Sequence, residues 1–465
     1  MNIKYYTFGW LLMFCSTAFA QTSYLDPLFT EYFRRTQGWT AGDATISIPL
    51  PDGKTMWLFG DSYIDNYQVT DNSLPCLFQV RNSLMVQEAD DPNDMTTYID
   101  YSKTGIERTY FKIGTVGNSV FWPGHGFVKN DTVFVFLEKY NSTTYAFQGN
   151  YIARILLPTF QLLTIKALPA MNGLNMGKAV IYDEPSGYYY IYGNKLNWIV
   201  FEPFVARAKF KNLQKGNWDF YTGSGWSKNA TTAKKISNDP VCASFSVVKL
   251  NNSYRLITQE NGYLTCGLGR NIYSYQSATP MGKFKTKKTL YTIEDQINGN
   301  YLLTYNAYAH PQFTANNELL ISYNVNDGTD TVPPNACPAQ CKNVFTDRMN
   351  ADSYRPKFIR VPFSLMGLKS AEAVIQSVPV SLFPNPASDK ITLSFYADCD
   401  QVCNIRIINK MGMVTREIVK SPVVKGSNQV ELDISGLSPD LYVVDIESQT
   451  VNSLVKWERM KFIKQ

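Results

Sequence analysis

The sequence predicts an all-β protein made of a five-bladed β-propeller followed by a small C-terminal β-sandwich. Three observations predict it. A hairpin pattern returns five times between residues 24 and 365. Short alternating strands separated by turns fill residues 379–465. Phe, Trp and Tyr supply 14% of the 465 residues, a composition that suits strand faces and excludes a disordered chain.

The first 20 residues predict a secretory signal peptide. Lys4 precedes an apolar run at residues 8–14, and Ala18 and Ala20 form a small-residue cleavage pattern. A membrane anchor is the alternative, but the apolar run is short for one. No later stretch is long enough to cross a bilayer, so we expect no transmembrane segment in the mature chain.

The charge of the chain argues against a nucleic-acid partner. Lys and Arg total 44 against 39 Asp and Glu, and the basic residues form no block. The near-neutral balance also disfavours a polyanion as the main partner.

The repeat unit is a short strand, a turn rich in Asp, Asn, Gly or Ser, and a strongly apolar strand that stops at a polar residue. A third strand follows each hairpin. The hairpins occupy residues 42–61, 124–138, 177–194, 243–260 and 309–324. The third strands occupy residues 81–86, 151–155, 204–209, 270–274 and 355–360.

Five such units that close radially form a five-bladed propeller over residues 24–365. A linker is predicted at residues 366–378, before the sandwich at 379–465. A β-sandwich with decorated hairpins is the alternative, but it does not explain why the same strand order returns five times.

Seven cysteines remain after cleavage of the leader, so at least one thiol is unpaired. Export permits disulfides, and the close spacing of Cys337 with Cys341 and of Cys399 with Cys403 predicts two local bridges. Zinc is the competing interpretation, but with two His in the whole chain it lacks ligands.

The C-terminal segment carries a specific resemblance. Residues 383–389 read Phe-Pro-Asn-Pro-Ala-Ser-Asp, a turn contains Gly412, Tyr442 follows residues 434–438, and the chain ends on a basic strand at 461–464. This pattern resembles the C-terminal sorting domain of the type IX secretion system of Bacteroidetes-type bacteria. Asp440-Leu441-Tyr442 departs from the Gly-x-Tyr usual in that family. The resemblance implies export across two membranes, handling by the secretion machinery, and release or surface attachment.

Propeller topology predicts where the polar residues meet. The first strand of a blade lines the central channel and the second returns beside it, so the start of the first and the end of the second share one face, here called the mouth. A concave polar mouth is the default ligand site. The candidates at the mouth are Asp43, Asp61, Arg81, Asn82, His125, Lys178, Glu260, Arg270, His310 and Arg355. The same topology places Glu138, Asn194, Ser244, Asn271 and Asn324 on this face.

A second resemblance rests on residues 38–43 with 57–61, 121–126, and 305–311 with 320–324. These stretches resemble secreted bacterial five-bladed propeller domains of uncharacterised type, which are similar in turn to arabinanase-like glycoside hydrolases. The resemblance implies a carbohydrate ligand and a hydrolase-like activity.

In that hydrolase group a first-blade Asp acts as base, a third-blade Asp tunes the acid and a fourth-blade Glu is the acid. Asp43 matches the first role, whereas Lys178 and Ser244 stand at the other two inner-strand positions. Hydrolysis needs one ionised carboxylate and one with a raised pKa. We expect Asp43 and Glu260 as the catalytic pair, with Asp61 as substitute base.

Each candidate also has a structural interpretation. Asp43 and Asp61 follow glycine and suit turn caps, and Glu260 suits a solvated hairpin. His125 and His310 suit either ligand contact or hydrogen bonds to the channel wall. Trp39 and Trp122, beside Gly and Pro, are candidates for stacking on sugar rings, and Trp57 suits the core.

Three functions remain open from the residues. The first is a secreted glycoside hydrolase-like enzyme, the second a non-catalytic carbohydrate-binding protein or adhesin, and the third a surface module that binds protein through residues 327–352. No cofactor and no metal site is predicted, although the two His leave a metal in the channel as an alternative.

Overall fold

The computed structural model describes residues 22–89, 91–112, 118–260, 269–326, 341–368, 381–397, 401–410, 413–424, 426–450 and 453–465. The predicted signal peptide and most of the predicted linker lie outside these ranges. Cys337, Cys399 and Gly412 lie outside them as well, as does most of the loop proposed for protein binding.

Five antiparallel sheets follow one another along the chain, and each begins with its inner strand. They are called blades 1 to 5. Blade 1 contains Ile46–Pro49, Thr55–Phe59, Ser83–Gln87 and Met95–Tyr98. Blade 2 contains Ser119–Lys129, Thr132–Asn141, Phe147–Leu156 and Gln161–Ala167. Blade 3 contains Asn175–Asp183, Tyr188–Asn197, Val200–Ala208, Asp219–Tyr221 and Trp226–Ser227. Blade 4 contains Ser246–Leu250, Ser253–Gln259, Asn271–Ser277 and Lys285–Thr292. Blade 5 contains Leu303–Ala315, Glu318–Asn326, Lys357–Pro362 and Tyr24–Leu25.

The inner strands form a closed ring. The inner strand of each blade contacts the inner strand of the next, and that of blade 5 contacts that of blade 1. The predicted all-β propeller class is therefore confirmed.

The hairpin turns explain why the repeat was visible in the sequence. Gly53, Asn130, Gly187, Asn251 and Asn316 have φ of 85°, 55°, 63°, 52° and 52°. Tight hairpins need this left-handed backbone, which Gly and Asn adopt most readily. Between the turns, the second strands are buried on both faces, as in Thr55–Phe59, and so appear as continuous apolar runs.

The ring is closed by the start of the described chain. Tyr24–Leu25 pairs antiparallel with Lys357–Pro362 as the fourth strand of blade 5. The following helix, Pro27–Glu31, is capped by Asp26, whose other carboxylate oxygen accepts a 2.7 Å bond from Arg360. Closure thus joins the two ends of the propeller segment.

The C-terminal segment folds into two antiparallel sheets around an apolar core that includes Leu432, Tyr442 and Phe462. One sheet contains Ser381–Phe383, Lys390–Ala397 and Gly426–Asp433, and the other Gln401–Asn409, Val414–Val423, Asp440–Thr450 and Ser453–Lys464.

The remaining elements are short. The strands are Trp39–Gly42, Ser62–Ile64, Ser73–Pro75, Asp100–Tyr101, Glu107–Arg108, Gln296–Ile297, Asn300–Tyr301 and Arg348–Asn350. The helical turns are Phe210–Leu213, Ala230–Thr232, Ala351–Ser353 and Phe363–Met366. Within the described ranges, no helix is long and apolar enough to cross a membrane.

The predicted cysteine pairing is wrong. Cys341 is bonded to Cys76, 265 residues away, and Cys403 is a buried free thiol, as is Cys242. The reason is that Arg348–Asn350 pairs with Ser73–Pro75, which brings the segment after Cys341 against blade 1. Spacing in the sequence favours local bridges, and it does not show that two segments far apart in the sequence pair in the fold.

Candidate functional site

Asp43 and Asp61 lie together at the mouth of blade 1. The Asp43 amide donates to the Asp61 carbonyl at 3.2 Å, and the Gly60 amide donates to the Asp43 carbonyl at 3.0 Å. Asp43 precedes the inner strand and Asp61 follows the second strand, so the hairpin itself brings the two residues together. The predicted proximity at this face follows from the pairing of Ile46–Pro49 with Thr55–Phe59.

Gly60 is required for this close approach. A Cβ atom at this position would lie 2.3 Å from Asp43 Oδ1 and 3.6 Å from Trp122 Cδ1. The 2.3 Å separation is a clash, so only glycine leaves space here for the Asp43 carboxylate.

Asp61 is held by two donors. Arg81 Nη1 lies 3.1 Å from Asp61 Oδ2, and Trp122 Nε1 donates to Asp61 Oδ1 at 3.2 Å. Burial raises the pKa of Asp61 to about 6, and the Arg81 charge and the two hydrogen bonds oppose that rise. These donors favour the ionised carboxylate.

Asp43 has a different environment. Its Oδ2 accepts hydrogen bonds from the hydroxyls of Tyr305 at 3.2 Å and Tyr354 at 3.4 Å. Burial, followed by the charge of Asp61, raises the pKa of Asp43 to about 7, although the tyrosines favour the ionised form. No cation contacts Asp43 in the described part of the chain, so Asp43 keeps its proton to higher pH than Asp61.

A third carboxylate lies between blades 2 and 3. Glu138 is 5% exposed and forms an ion pair with Lys178. Its Oε2 accepts from Asn175 Nδ2 at 2.6 Å and from the Tyr140 hydroxyl at 3.1 Å. The Tyr140 ring packs 4.9 Å from the ring of Trp122, which donates a hydrogen bond to Asp61. The buried cluster around Glu138 therefore lies next to the Asp61 site.

Trp122 presents an aromatic surface at the mouth. It is partly exposed, and the more exposed ring of Tyr145 stacks on it at 6.2 Å with an interplanar angle of 15°. Paired rings that remain partly wet suit contact with a ligand that has both apolar and polar faces.

Glu260 hydrogen-bonds to Asn271 of blade 4, whereas Asp43 accepts from Tyr305 and Tyr354. Glu260 accepts a 2.9 Å bond from Asn271 Nδ2 and lines a cavity of about 150 Å³ with Asp239, Tyr273 and Lys287. Its backbone amide also donates to the Asn271 carbonyl at 2.9 Å, so these hydrogen bonds lie within blade 4. Arg270 lies nearby in an ion pair with Glu294 at 2.9 Å.

Three other candidates are buried and contact the protein interior. Trp39 is fully buried and packs 4.4 Å from Phe59. Asn82 bonds the backbone of Phe111 and Phe121, and Arg355 bonds the carbonyls of Thr40 and Arg35. They hold the loops that surround the mouth.

The two histidines lie in the channel. His310 is fully buried between the hydroxyls of Ser47 and Ser322, at 2.7 and 2.8 Å, and burial lowers its pKa to about 3. His125 Nδ1 accepts from the Val180 amide at 3.0 Å, and burial lowers its pKa to about 4. His125 lines a channel cavity of about 400 Å³. Both rings are neutral near pH 7, and His310 has no nitrogen left for a ligand.

Sequence reasoning missed three residues of this cluster, and it placed Glu138 at the mouth without making it a site candidate. Tyr305 and Tyr354 are the partners of Asp43, and Glu138 is the partner of Lys178. Tyr145 covers Trp122. The position of Glu138 at the end of the second repeat was the one available signal. Across the described ranges, no three His, Cys, Asp or Glu side chains are grouped to hold a metal.

Comparisons with known families match two segments of the chain. A family model described as a domain of unknown function, DUF5005, matches residues 26–372. The chain belongs to this family. A model described as a secretion system C-terminal sorting domain matches residues 381–457, so the chain is exported by type IX secretion to the cell surface or the extracellular space.

The DUF5005 domain is similar to a solved structure described as a putative hydrolase from Bacteroides ovatus. The TM-score is 0.61 with 23% identity, over 76% of this chain and 93% of that one. This likeness shows the fold of the DUF5005 domain. A GH43_1 enzyme from Xanthomonas citri complexed with xylose also matches, at a TM-score of 0.38 and 11% identity over 72% and 93% of the two chains. No curated protein matches the chain. Every residue of the Asp43 and Glu138 clusters lies within the DUF5005 domain.

Proposed function

We propose that the DUF5005 domain is a secreted glycoside hydrolase that cleaves a polysaccharide or oligosaccharide in the propeller mouth. The observation that carries the proposal is the pair Asp43 and Asp61, two adjacent carboxylates with raised pKa values. Asp61 is paired with the Arg81 cation, whereas Asp43 accepts from two neutral tyrosine hydroxyls. Glycoside hydrolysis needs one carboxyl group that donates a proton and one that is ionised.

The environments assign the roles. Asp43, raised to a pKa of about 7 and facing two tyrosine hydroxyls, keeps a proton for the departing sugar oxygen. Asp61, beside Arg81, is the ionised group that activates water or attacks the anomeric carbon. Asp43 therefore acts as acid rather than as the base that the family resemblance implies, and Glu260 has no part in the reaction.

Trp122 joins substrate binding to this pair. Its indole N–H fixes Asp61, while its ring and that of Tyr145 form a surface at the mouth on which a sugar ring stacks. Similarity to a structure described as a putative hydrolase agrees with the proposal but shows only the fold.

The test measures reducing-end release from arabinan, arabinoxylan and β-1,3-galactan by the wild-type chain and by Asp43→Asn and Asp61→Asn. We expect one polysaccharide to be cleaved, and each variant to lose at least 100-fold in kcat while its affinity stays within a few-fold. Asp71→Asn, at an exposed residue, is the matched control.

A non-catalytic carbohydrate-binding protein is the second candidate. The observation in its favour is that Arg81 and Trp122 together occupy both oxygens of Asp61. Binding of a polysaccharide without turnover by the wild-type chain, at any pH from 5 to 8, supports this candidate and contradicts the hydrolase.

A further inference from the structure

A β-hairpin of blade 3 extends outward on the face that carries the mouth. Asn175, in the Glu138 cluster, pairs with Asn194, and the hairpin continues beyond that pair through Asn197↔Val200. Strands rise ~3.3 Å per residue, so the three residues after Asn194 carry the turn roughly 10 Å past the level of the cluster. The turn therefore stands above the same face as Asp43 and Asp61.

The end of this hairpin, called the blade 3 tip, consists of Leu196, Trp198 and Ile199. Their exposed fractions are 56%, 85% and 47%. Trp198 is far more exposed than most large aromatic side chains in a folded protein. Burial in the core does not account for its presence.

The backbone at Trp198 adds an independent observation. Trp198 has φ of 57°, in the left-handed region that Asn and Gly adopt at the other hairpin turns of this propeller. A bulky residue in this conformation is strained, and such strain clusters at functional sites. Folding alone would favour Asn or Gly at this position.

We propose that the blade 3 tip is a distal binding platform for a polysaccharide whose reacting end lies in the mouth. The inference rests on the proposed function and extends it, because it makes the substrate a chain long enough to span blades 2 and 3.

The surroundings of the tip favour a sugar over a protein or a bilayer. Three side chains form a patch much smaller than the surface that a stable protein interface buries on each partner. Polar side chains lie below the tip, with Glu202 paired to Lys235 at 2.9 Å and Asn194 bonded to Ala243. An amphipathic indole beside polar side chains matches a sugar ring, which has an apolar face and hydroxyl edges.

The blade 2 pair, Trp122 with Tyr145, lies on the same face of the adjacent blade. Two aromatic surfaces on neighbouring blades give a chain two points of contact. The first lies at the carboxylates and the second lies outside the mouth.

The test substitutes Trp198 by Asn in the full chain. Asn removes the indole and accepts a positive φ, so we expect the variant to fold with a Tm equal to or above that of the wild type. Trp198→Phe keeps an aromatic ring. Tyr182→Ala removes a 51% exposed aromatic from the opposite end of blade 3 and is the matched control.

Binding is measured by affinity electrophoresis on arabinan, arabinoxylan and β-1,3-galactan, with Asp43→Asn added to each variant to prevent turnover. We expect Trp198→Asn to weaken binding about tenfold, Trp198→Phe to restore most of it and Tyr182→Ala to leave it unchanged. With active protein, KM rises for the polymer but not for its disaccharide, and kcat stays constant.

Unchanged polymer binding by Trp198→Asn overturns the inference while the wild-type turnover still supports the hydrolase. A wild-type chain that binds none of the three polysaccharides contradicts both. Loss of a dimer in Trp198→Asn, or loss of binding to anionic lipid vesicles, assigns the tip to another partner and also overturns it.

Discussion

Replacing Asp43 by Asn should stabilise the propeller at alkaline pH while it removes activity. In the folded chain the pKa of Asp43 is raised from 3.8 to about 7, chiefly by burial. A raised pKa means that the fold binds the proton more tightly than the unfolded chain does. The resulting stabilisation is complete below the ordinary pKa and is lost as the pH rises through about 7.

The magnitude follows from the same values. Each tenfold change in proton affinity corresponds to about 1.4 kcal/mol, so a rise from 3.8 to about 7 corresponds to about 4 kcal/mol. The amide of the Asp43→Asn variant cannot ionise, and its side-chain oxygen still accepts from Tyr305 and Tyr354. The variant should therefore retain at pH 8 the stability that the wild type loses.

The assay is thermal unfolding of both proteins from pH 5 to pH 9, followed by tryptophan fluorescence. Six of the eight tryptophans lie in the propeller segment, so the signal reports its unfolding. We expect the Tm of Asp43→Asn to exceed that of the wild type by about 2 °C at pH 5 and by about 5 °C at pH 8. A Tm difference that is independent of pH would refute the reasoning, and exposed Asp71→Asn should show no difference.

Two further predictions concern the supports of the pair. Gly60→Ala places a Cβ against Asp43 Oδ1, so we expect kcat/KM to fall at least tenfold. The control is Gly225→Ala, whose Cβ would meet Thr222 Oγ1 at an ordinary contact distance of 3.9 Å. Equal activity of the two variants would contradict the account of Gly60. Glu138→Gln and Lys178→Met each leave one buried charge unpaired and should each lower the unfolding free energy by about 3–5 kcal/mol. The double variant should lose less than the sum of the two in urea titrations, and simple additivity would contradict direct coupling.

The hairpins could be predicted because their signals are local. Asn130 and Asn251 mark turns that need a left-handed residue, and buried second strands give apolar runs with no polar break. The fourth strand of blade 5 could not be predicted, because Tyr24–Leu25 is two residues long and pairs with the far end of the propeller segment. The Cys76–Cys341 bridge was missed for the same reason.

In the candidate site, too, some residues could be predicted from the sequence and others could not. Asp43 and Asp61 were found because strand ends fix their position in the fold. Burial of Trp39, Asn82 and Arg355 could not be foreseen, because the same loop sequence is compatible with a side chain that faces the mouth or the core. Tyr305 and Tyr354 reach Asp43 from blade 5. No pattern in the sequence predicts a contact between the first and last blades.

The pH dependence of polysaccharide cleavage tests the central claim most directly. The claim is that one proton sits on the pair near neutral pH, with Asp61 ionised and Asp43 protonated. The account predicts a bell-shaped kcat/KM with its maximum between about pH 6 and pH 7, because activity falls as Asp61 gains a proton below about 6 and as Asp43 loses one above about 7. A kcat/KM that keeps rising from pH 7 to pH 9 would contradict it.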